Sequence, residues 1–379
     1  MKKYFLLGLL IKFLFVVFTF HLDTLFIWER PAHFIQNLHT ISSYYGPLTY
    51  ITFGMLSPIY FLSQNIGYWI LKIPYLFVDI YILYLLLKMS PKAIHKKVLV
   101  FWWLNPIVIF STYAMGQLDI ILSLCVVLSV YVAKRHHVFS ILSLGAGVAY
   151  KTMTLPLLIS SSLILEKNLV KRIEMIAIGI SVPLLLGILF WLPSHQNISN
   201  TYFPTGIIFY PKLSMTPDAI WEYSSLFIGI IGFFAVQYLL IKKKIDISNF
   251  AHVLFVSLAF VIIALPIYSV FRYTILMPLL VLVSLKVKKA LVLALILILL
   301  PLGYLYIWPL EWGLIAHIYP QAKNLPALRE WVSLVVNYEN AAFLFRVIAD
   351  SLIFYLAIIS LKKTFHHKTL SNQISGNHI

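Results

Sequence analysis

The chain opens with "MKKYFLLGLLIKFLFVVFTFHLDTLFIWERP" (residues 1–31), in which an apolar run follows two lysines and ends close to a carboxylate. Residues 4–20 are long enough to form a transmembrane helix. Lys12 interrupts the apolar run and no small-residue cleavage site follows it, so we expect a retained first span and not a signal peptide. Asp23 would then lie directly outside the first span.

The composition of the whole chain is that of a polytopic membrane protein. Of the 379 residues, 61% are hydrophobic and 11% are charged, and apolar runs recur along the sequence. The net charge of +16 comes from basic residues between these runs, where membrane topology and anionic lipid explain it. We therefore expect contact with the lipid bilayer and no nucleic-acid partner. Cys125 is the single cysteine of the sequence, which excludes an intramolecular disulfide.

The positions of lysine and arginine predict the topology. With Met1 in the cytoplasm, twenty of the 29 basic residues fall in inner loops and tails and four fall in outer loops. This arrangement predicts an all-α polytopic protein of the plasma membrane with about twelve transmembrane helices and both termini cytoplasmic. The expected spans are residues 4–20, 67–88, 98–115, 118–133, 138–150, 152–165, 173–192, 225–241, 251–270, 273–285, 290–309 and 342–361.

We expect a single transmembrane domain over residues 1–363 and a flexible cytoplasmic tail over residues 364–379. Three outer segments are rich in Tyr, Trp and Pro, a composition typical of short interfacial helices. They comprise residues 21–66, 193–224 and 310–341.

Residues 44–62 leave two interpretations open, because this stretch is apolar enough to be a span. Counting it as a span would place the basic residues 88–97 outside the membrane, against the charge rule. We favour a helix in the outer interface, broken by Pro47 and Pro58. The alternative is a true second span that a missing span later in the chain compensates.

Several charged residues fall within or beside apolar segments, where an ionised group needs a partner or a water-filled cavity. They are Lys72, Asp79, Lys151, Arg272, Arg346 and Asp350. The spacing of Arg346 and Asp350 (i, i+4) predicts that they pair on one helix face. Lys72 has the alternative of extending to the membrane interface. Asp23 has the alternative of a solvated charge at a helix end.

Lys151 lies in a stretch, residues 134–172, that is basic at both ends and apolar between. Both ends can be cytoplasmic if the chain turns back near Lys151, ahead of Pro156. A lysine at that turn suits an anion such as a lipid-linked phosphate. Arg272, expected at the outer boundary between two spans, suits the same ligand because a guanidinium binds phosphate bidentately. Its alternative role is that of an interfacial anchor.

The sequence motifs, taken in order, resemble those of the GT-C superfamily of integral membrane glycosyltransferases. Within it the chain looks most like bacterial and archaeal relatives of the second mannosyltransferase of GPI-anchor synthesis. The resemblance covers about residues 1–290. It rests on the acid after the first span with "FIWERPAHFIQNL" (26–38), then "YYGPLTY" (44–50), "LKIPYLFVDIYILYLLLK" (71–88), "LNPIVIFSTYAMGQLDII" (104–121), "YKT" (150–152) and "RY" (272–273).

The resemblance implies an inverting transfer of a sugar, with mannose expected, from a polyprenyl-phosphate donor to a lipid- or glycan-linked acceptor outside the cytoplasm. Asp23 would be the catalytic base, and the donor phosphate would bind Arg272, Lys151 and Lys72. The candidate substrate-binding residues are Glu29, Tyr45, Gln117, Asp119 and Tyr273. Gln117 and Asp119 have a helix-cap turn as their alternative.

No cofactor is assigned on the sequence. The first outer loop carries Asp23 without the second acid of an Asp-x-Asp motif, so the sequence does not support a divalent metal. Two other functions remain open: a transporter or flippase for lipid-linked or small anionic substrates, and a polysaccharide polymerase or ligase. Outer aromatic residues such as Tyr44, Trp221, Trp312 and Trp331 suit an interfacial belt better than sugar stacking.

Overall fold

The computed structural model describes residues 1–37, 45–191, 217–243, 245–265, 272–284, 292–298 and 338–374. Within these ranges the chain is helical and contains no β-strand. The first half comprises α1 (Lys2–Phe18), α2 (Leu22–Asn37), α3 (Pro47–Met55), α4 (Ser57–Ile66), α5 (Ile73–Met89), α6 (His95–Val98), α7 (Pro106–Ile109) and α8 (Asp119–Val132). The second half comprises α9 (His137–Tyr150), α10 (Leu155–Leu165), α11 (Leu169–Trp191), α12 (Pro217–Lys242), α13 (Phe250–Ala264), α14 (Tyr273–Ser284) and α15 (Tyr338–Ile374).

Among the described residues, five helical segments are long and apolar enough to cross a membrane: Tyr68–Met89, Leu169–Leu189, Tyr223–Lys242, Ile247–Ala264 and Phe343–Thr364. The number rises to seven if each of two bent helix pairs forms one span. The apolar helices α8, α9, α10 and α14 are shorter. A 14-residue helix such as α8 is about 21 Å long, which is less than the hydrocarbon core of a bilayer.

Two of the helix pairs are sharply bent. Lys2–Phe18 and Asp23–Phe34 meet at 71°, and Lys92–Trp103 and Pro106–Ala114 meet at 41°. In the second pair the break falls at Asn105, whose side chain accepts hydrogen bonds from the amides of Ile107 (2.9 Å) and Val108 (3.4 Å). Pro106 then occupies the first position of α7, where its missing amide proton costs no hydrogen bond.

Residues 45–66 form two short helices, α3 and α4, that meet near Pro58. This matches the expected break, and neither helix reaches the length of a span. Their position relative to the membrane interface stays a prediction. The last helix continues to Ile374 and so includes residues 364–374, and the flexibility expected of this tail stays a prediction. Residues 193–216 and 310–337 of the expected outer segments lie outside the described residues, as do Tyr44, Trp312 and Trp331.

A buried ion pair joins α1 to α5. Lys12 and Asp79 are both fully buried, and Lys12 Nζ donates to Asp79 Oδ2 at 2.6 Å. Asp79 also accepts hydrogen bonds from Trp102 Nε1 at 2.8 Å and from the Tyr113 hydroxyl at 2.7 Å. The ammonium lies 3.2 Å from the centroid of the Trp103 ring, a cation–π contact. The lysine that interrupts the first apolar run is therefore part of the core.

Replacing Lys12 by Met should destabilise the protein strongly, because it leaves the Asp79 carboxylate buried without its counter-charge. We expect the free energy of unfolding to fall by about 3–5 kcal/mol. A denaturant titration of the purified protein in detergent measures this.

Lys171→Met is the matched control, since Lys171 is exposed and its replacement should change stability by no more than about 0.5 kcal/mol. Equal stability of the two variants would contradict a structural role for the pair.

Candidate active site

Asp23 lies in the first turn of α2, just after the bend that follows α1. Its side chain is 33% exposed. The Gln117 side-chain amide donates a hydrogen bond to Asp23 Oδ2. His21 Nδ1 accepts from the Asp23 backbone amide at 3.1 Å and lies 3.6 Å from Oδ2. In the part of the chain that the structure describes, the Gln117 hydrogen bond and the close His21 contact both involve Oδ2 of this carboxylate. Oδ1 is therefore left for a ligand.

A glycine allows α2 to contact the turn that carries Gln117. Gly116 has a φ of 66°, in the left-handed region that favours glycine. A Cβ atom at this position would also overlap the Thr24 hydroxyl, which donates to the Met115 carbonyl oxygen at 3.1 Å. Thr24 follows Asp23 directly, so this close approach brings the carboxylate within reach of Gln117.

Lys72 supports the end of α1. Its ammonium is buried and donates to three oxygen atoms: the Thr19 carbonyl, the Thr19 hydroxyl at 3.1 Å and the Phe15 carbonyl at 3.4 Å. These carbonyls belong to the last turn of α1, where a cation compensates unpaired acceptors. The buried ammonium argues against the alternative in which Lys72 extends to the membrane interface, and its expected binding of the donor phosphate stays a prediction. Its three N–H groups hold the end of α1 in place. Lys72 also acts electrostatically on His21, which stands two residues before Asp23.

Asp119 and Lys151 form the second ion pair. Lys151 Nζ lies 3.1 Å and 3.3 Å from the two oxygens of the Asp119 carboxylate. Asp119 is fully buried at the start of α8, whereas the Lys151 side chain keeps 20% exposure. Both charges act electrostatically on Asp23. Asp23, Asp119 and Lys151, which come from distant parts of the sequence, therefore share one site.

Arg272 adds a second cation to this neighbourhood. It immediately precedes α14, and its guanidinium interacts electrostatically with Asp119. Ser123 of α8 donates to the Thr274 carbonyl at 2.9 Å, which fixes the start of α14 beside the start of α8. We call Asp23, Gln117, Asp119, Lys151 and Arg272 the charged site.

Tyr45 lies close to the charged site, because its hydroxyl interacts electrostatically with both Asp23 and Asp119. The next residue holds it there: the Gly46 amide donates to the Tyr150 carbonyl at 2.9 Å. A Cβ atom on Gly46 would overlap the Ala149 carbonyl oxygen. Glycine therefore permits the segment before α3 to pack against the end of α9, next to Lys151.

Other candidates lie elsewhere or serve the packing. Glu29 acts electrostatically on Tyr60 of α4, on a part of α2 remote from its first turn. Tyr273 is 3% exposed and belongs to the hydrophobic core, so its ring is not open to a sugar. Gln117, 2% exposed, and Asp119 contact protein groups and position the site.

Arg346 and Asp350 pair within α15, as their spacing predicts. The guanidinium Nε lies 3.6 Å from Asp350 Oδ2, which also accepts a hydrogen bond from Trp221 Nε1 at 3.2 Å. Arg346 donates to the Leu265 carbonyl at 3.2 Å. It interacts electrostatically with Arg272, so this pair borders the charged site.

The described residues contain no group of three or more His, Cys, Asp or Glu side chains that could hold a metal ion. The donor set around Asp23 is mixed in sign, with an amide and two cations near the two carboxylates. A divalent cation would have to compete with Lys151 for Asp119, so these residues do not fit a metal site.

Sequence reasoning missed three contributors to the site. In the sequence Lys12 stands out only as an interruption of a span, although a lysine within an apolar run is itself a signal that an acid lies nearby. His21, two residues before Asp23, is not among the residues that the sequence predicts for the site. The contact between Thr24 and Gly116 has no signal in the sequence beyond the glycine itself.

No protein-family model, no curated protein and no solved structure matches the chain. The function is therefore inferred from the residues of the chain and their geometry.

Replacing Gly116 by Ala should separate α2 from the 115–117 turn. The left-handed backbone alone costs about 1–2 kcal/mol for a residue with a side chain, and the overlap with Thr24 adds to it. We expect a lowered free energy of unfolding in a denaturant titration.

Thr24→Ala in the Gly116→Ala background removes the overlapping hydroxyl and should recover part of the loss. If the double variant is no more stable than Gly116→Ala, the overlap does not contribute.

Proposed function

We propose that the protein is an inverting glycosyltransferase that moves a sugar from a polyprenyl-phosphate donor to a hydroxyl of a lipid- or glycan-linked acceptor. One observation carries the proposal: the partly exposed carboxylate of Asp23 shares a site with Lys151 and lies in the field of Asp119, which also interacts with Arg272. A base beside cations at a helix end is what transfer from a phosphate leaving group requires.

In this mechanism Asp23 acts on the acceptor. Gln117 holds Oδ2, and Oδ1 accepts the proton of the acceptor hydroxyl as the hydroxyl oxygen attacks the anomeric carbon. The bond between that carbon and the phosphate oxygen breaks on the opposite face, and its electron pair leaves with the phosphate. The configuration at the anomeric carbon inverts, and the proton ends on Asp23.

The cations act on the leaving group. Negative charge grows on the phosphate as the bond breaks, and Lys151 and Arg272 would stabilise it in surroundings from which most water is excluded. Asp119 holds the Lys151 ammonium through an ion pair and interacts electrostatically with Arg272 before the donor binds. Lys72 is engaged by α1, so its contribution to phosphate binding is through the position of His21 and Asp23.

Sugar binding falls to residues near Asp23, of which Tyr45 has the most suitable position. Mannose is proposed because the motifs resemble those of GPI-type mannosyltransferases. Tyr273 is buried in the core, and Glu29 acts electrostatically on Tyr60 of α4, so neither is assigned to the sugar.

The proposal includes a GT-C-like fold with about twelve spans, in which the short helices α8, α9, α10 and α14 complete the set. The clusters of Lys and Arg in the expected inner loops support an orientation in a plasma membrane with both termini in the cytoplasm. The charged site then faces the extracytoplasmic side, where a flipped lipid donor meets its acceptor.

The transporter alternative relies on buried charges as a substrate path. Asp79, which lies within the expected span 67–88, accepts hydrogen bonds from Lys12, Trp102 and Tyr113. Such saturation favours a structural role over ligand exchange. A polysaccharide polymerase or ligase has no need of the acid after the first span.

Replacing Asp23 by Asn should lower kcat by roughly 10²–10⁴-fold, because the amide cannot take the acceptor proton. The assay follows radiolabelled mannose from polyprenyl-phosphate mannose to a panel of lipid-linked and glycan acceptors.

Glu29→Gln is the matched control, an acid on the same helix away from the charged site, and should keep near wild-type turnover. Full activity of Asp23→Asn would remove Asp23 as the base. Absence of turnover by the wild-type protein with every polyprenyl-phosphate hexose and every acceptor tested would overturn the function itself.

Replacing Arg272 by Lys should lower kcat by about tenfold or more while keeping the charge, since an ammonium cannot bind two phosphate oxygens in the fork geometry of a guanidinium. The same transfer assay reports kcat, and release of polyprenyl phosphate reports the leaving group.

Arg172→Lys serves as the control, because Arg172 donates to backbone carbonyls of Glu166 and Leu163 at the other end of the bundle. Equal activity of both variants would argue against phosphate binding by Arg272.

A further inference from the structure

A cavity of about 650 Å³ opens at the end of the bundle opposite the charged site. It lies where the last turns of α5, α8 and α14 meet the first turn of α13. Asp119 begins α8 and the cavity adjoins its last turn, so about 21 Å of helix separates the two. The cavity is therefore distinct from the site of the proposed transfer.

The walls of this cavity carry positive charge. Lys88 comes from the end of α5, and Lys134 and Arg135 follow α8. None of the described lining residues is acidic. Asp246, which precedes the lining residue Ile247, accepts a hydrogen bond from the Ser248 amide at 2.6 Å and so caps a short helical turn. We call Lys88, Lys134 and Arg135, with the walls around them, the basic cavity.

The inner surface of a membrane protein is basic in general, which accounts for the sign of these charges. It does not account for their convergence on one concavity. Here three cations from two helix ends line the same space, and low-dielectric walls strengthen the potential within it. The volume also falls in the range of small-ligand sites, roughly 300–1,000 Å³.

The lining is amphiphilic. Beside the cations, apolar residues such as Met89, Phe250 and Leu282 form part of the wall. His252, buried on α13, bonds through Nδ1 to Ser360 of α15 at 2.8 Å and so fixes the α13 side. A ligand that fits has a negatively charged head and a less polar body.

We propose that the basic cavity binds a phosphate monoester or diester, either the headgroup of an anionic phospholipid or a soluble phosphate ester. Arg135 provides a planar fork for two phosphate oxygens, and Lys88 and Lys134 supply further charge. This site is independent of the glycosyl transfer proposed above. Bound lipid would connect α5, α8 and α13 at the inner end.

The test uses the full-length purified protein and the double variant Lys134→Gln/Arg135→Gln. Both residues are exposed, so the variant should fold, and an unchanged unfolding temperature verifies this. The control is Lys167→Gln/Lys171→Gln, which removes two exposed lysines that do not line the cavity. One arm titrates phosphatidylglycerol against phosphatidylcholine by native mass spectrometry. The other titrates glycerol 3-phosphate and inorganic phosphate by calorimetry.

We expect roughly thirtyfold weaker binding in the cavity variant and little change in the control, from about 1 kcal/mol for each of the two basic residues removed. A loss confined to phosphatidylglycerol identifies the lipid as the ligand, and a loss with glycerol 3-phosphate identifies a soluble ester. Equal weakening in both variants would show a general surface-charge effect and overturn the proposal. So would a wild-type protein that neither prefers phosphatidylglycerol nor binds either soluble phosphate.

Discussion

An ionised side chain within an apolar helical bundle must find a partner, and the structure depends on how this requirement is met. Lys12 with Asp79 and Lys151 with Asp119 pair residues that are 67 and 32 positions apart. Each lone charge would cost several kcal/mol, so these pairs select one packing of the helices over others. They fix α1 against α5, and the end of α9 against the start of α8.

The first pair also supports the candidate active site through hydrogen bonds. Asp79 accepts from the Tyr113 hydroxyl, and the Tyr113 carbonyl accepts from the Thr19 hydroxyl at 3.1 Å. The Thr19 hydroxyl in turn accepts a hydrogen bond from the Lys72 ammonium. Asp23 follows four residues later. A continuous set of contacts therefore runs from the core pair to the end of α1, and it holds the candidate base at a defined height in the bundle.

Helix positions were accessible from the sequence because apolar runs and their flanking charges are local signals. The span expected at residues 67–88 corresponds to Tyr68–Met89, and the helical turn expected at Lys151 separates α9 from α10. The partners of the buried charges are harder to predict from the sequence. The sequence marks Asp79 as a costly charge, yet its pairing with Lys12 depends on how two helices cross. The role of Lys72 likewise depends on its contacts with the end of α1, which no local sequence pattern predicts.

The two ends of the bundle carry charges of different kinds, and α8 shows why. Asp119 stands in its first turn and Lys134 and Arg135 follow its last, so both signs complement the helix dipole. At the first end the buried acid pairs with Lys151 and interacts electrostatically with Arg272, which yields a cluster of both signs. At the other end the lining residues leave the cations without such an acid. A single-sign concavity favours binding of an anion.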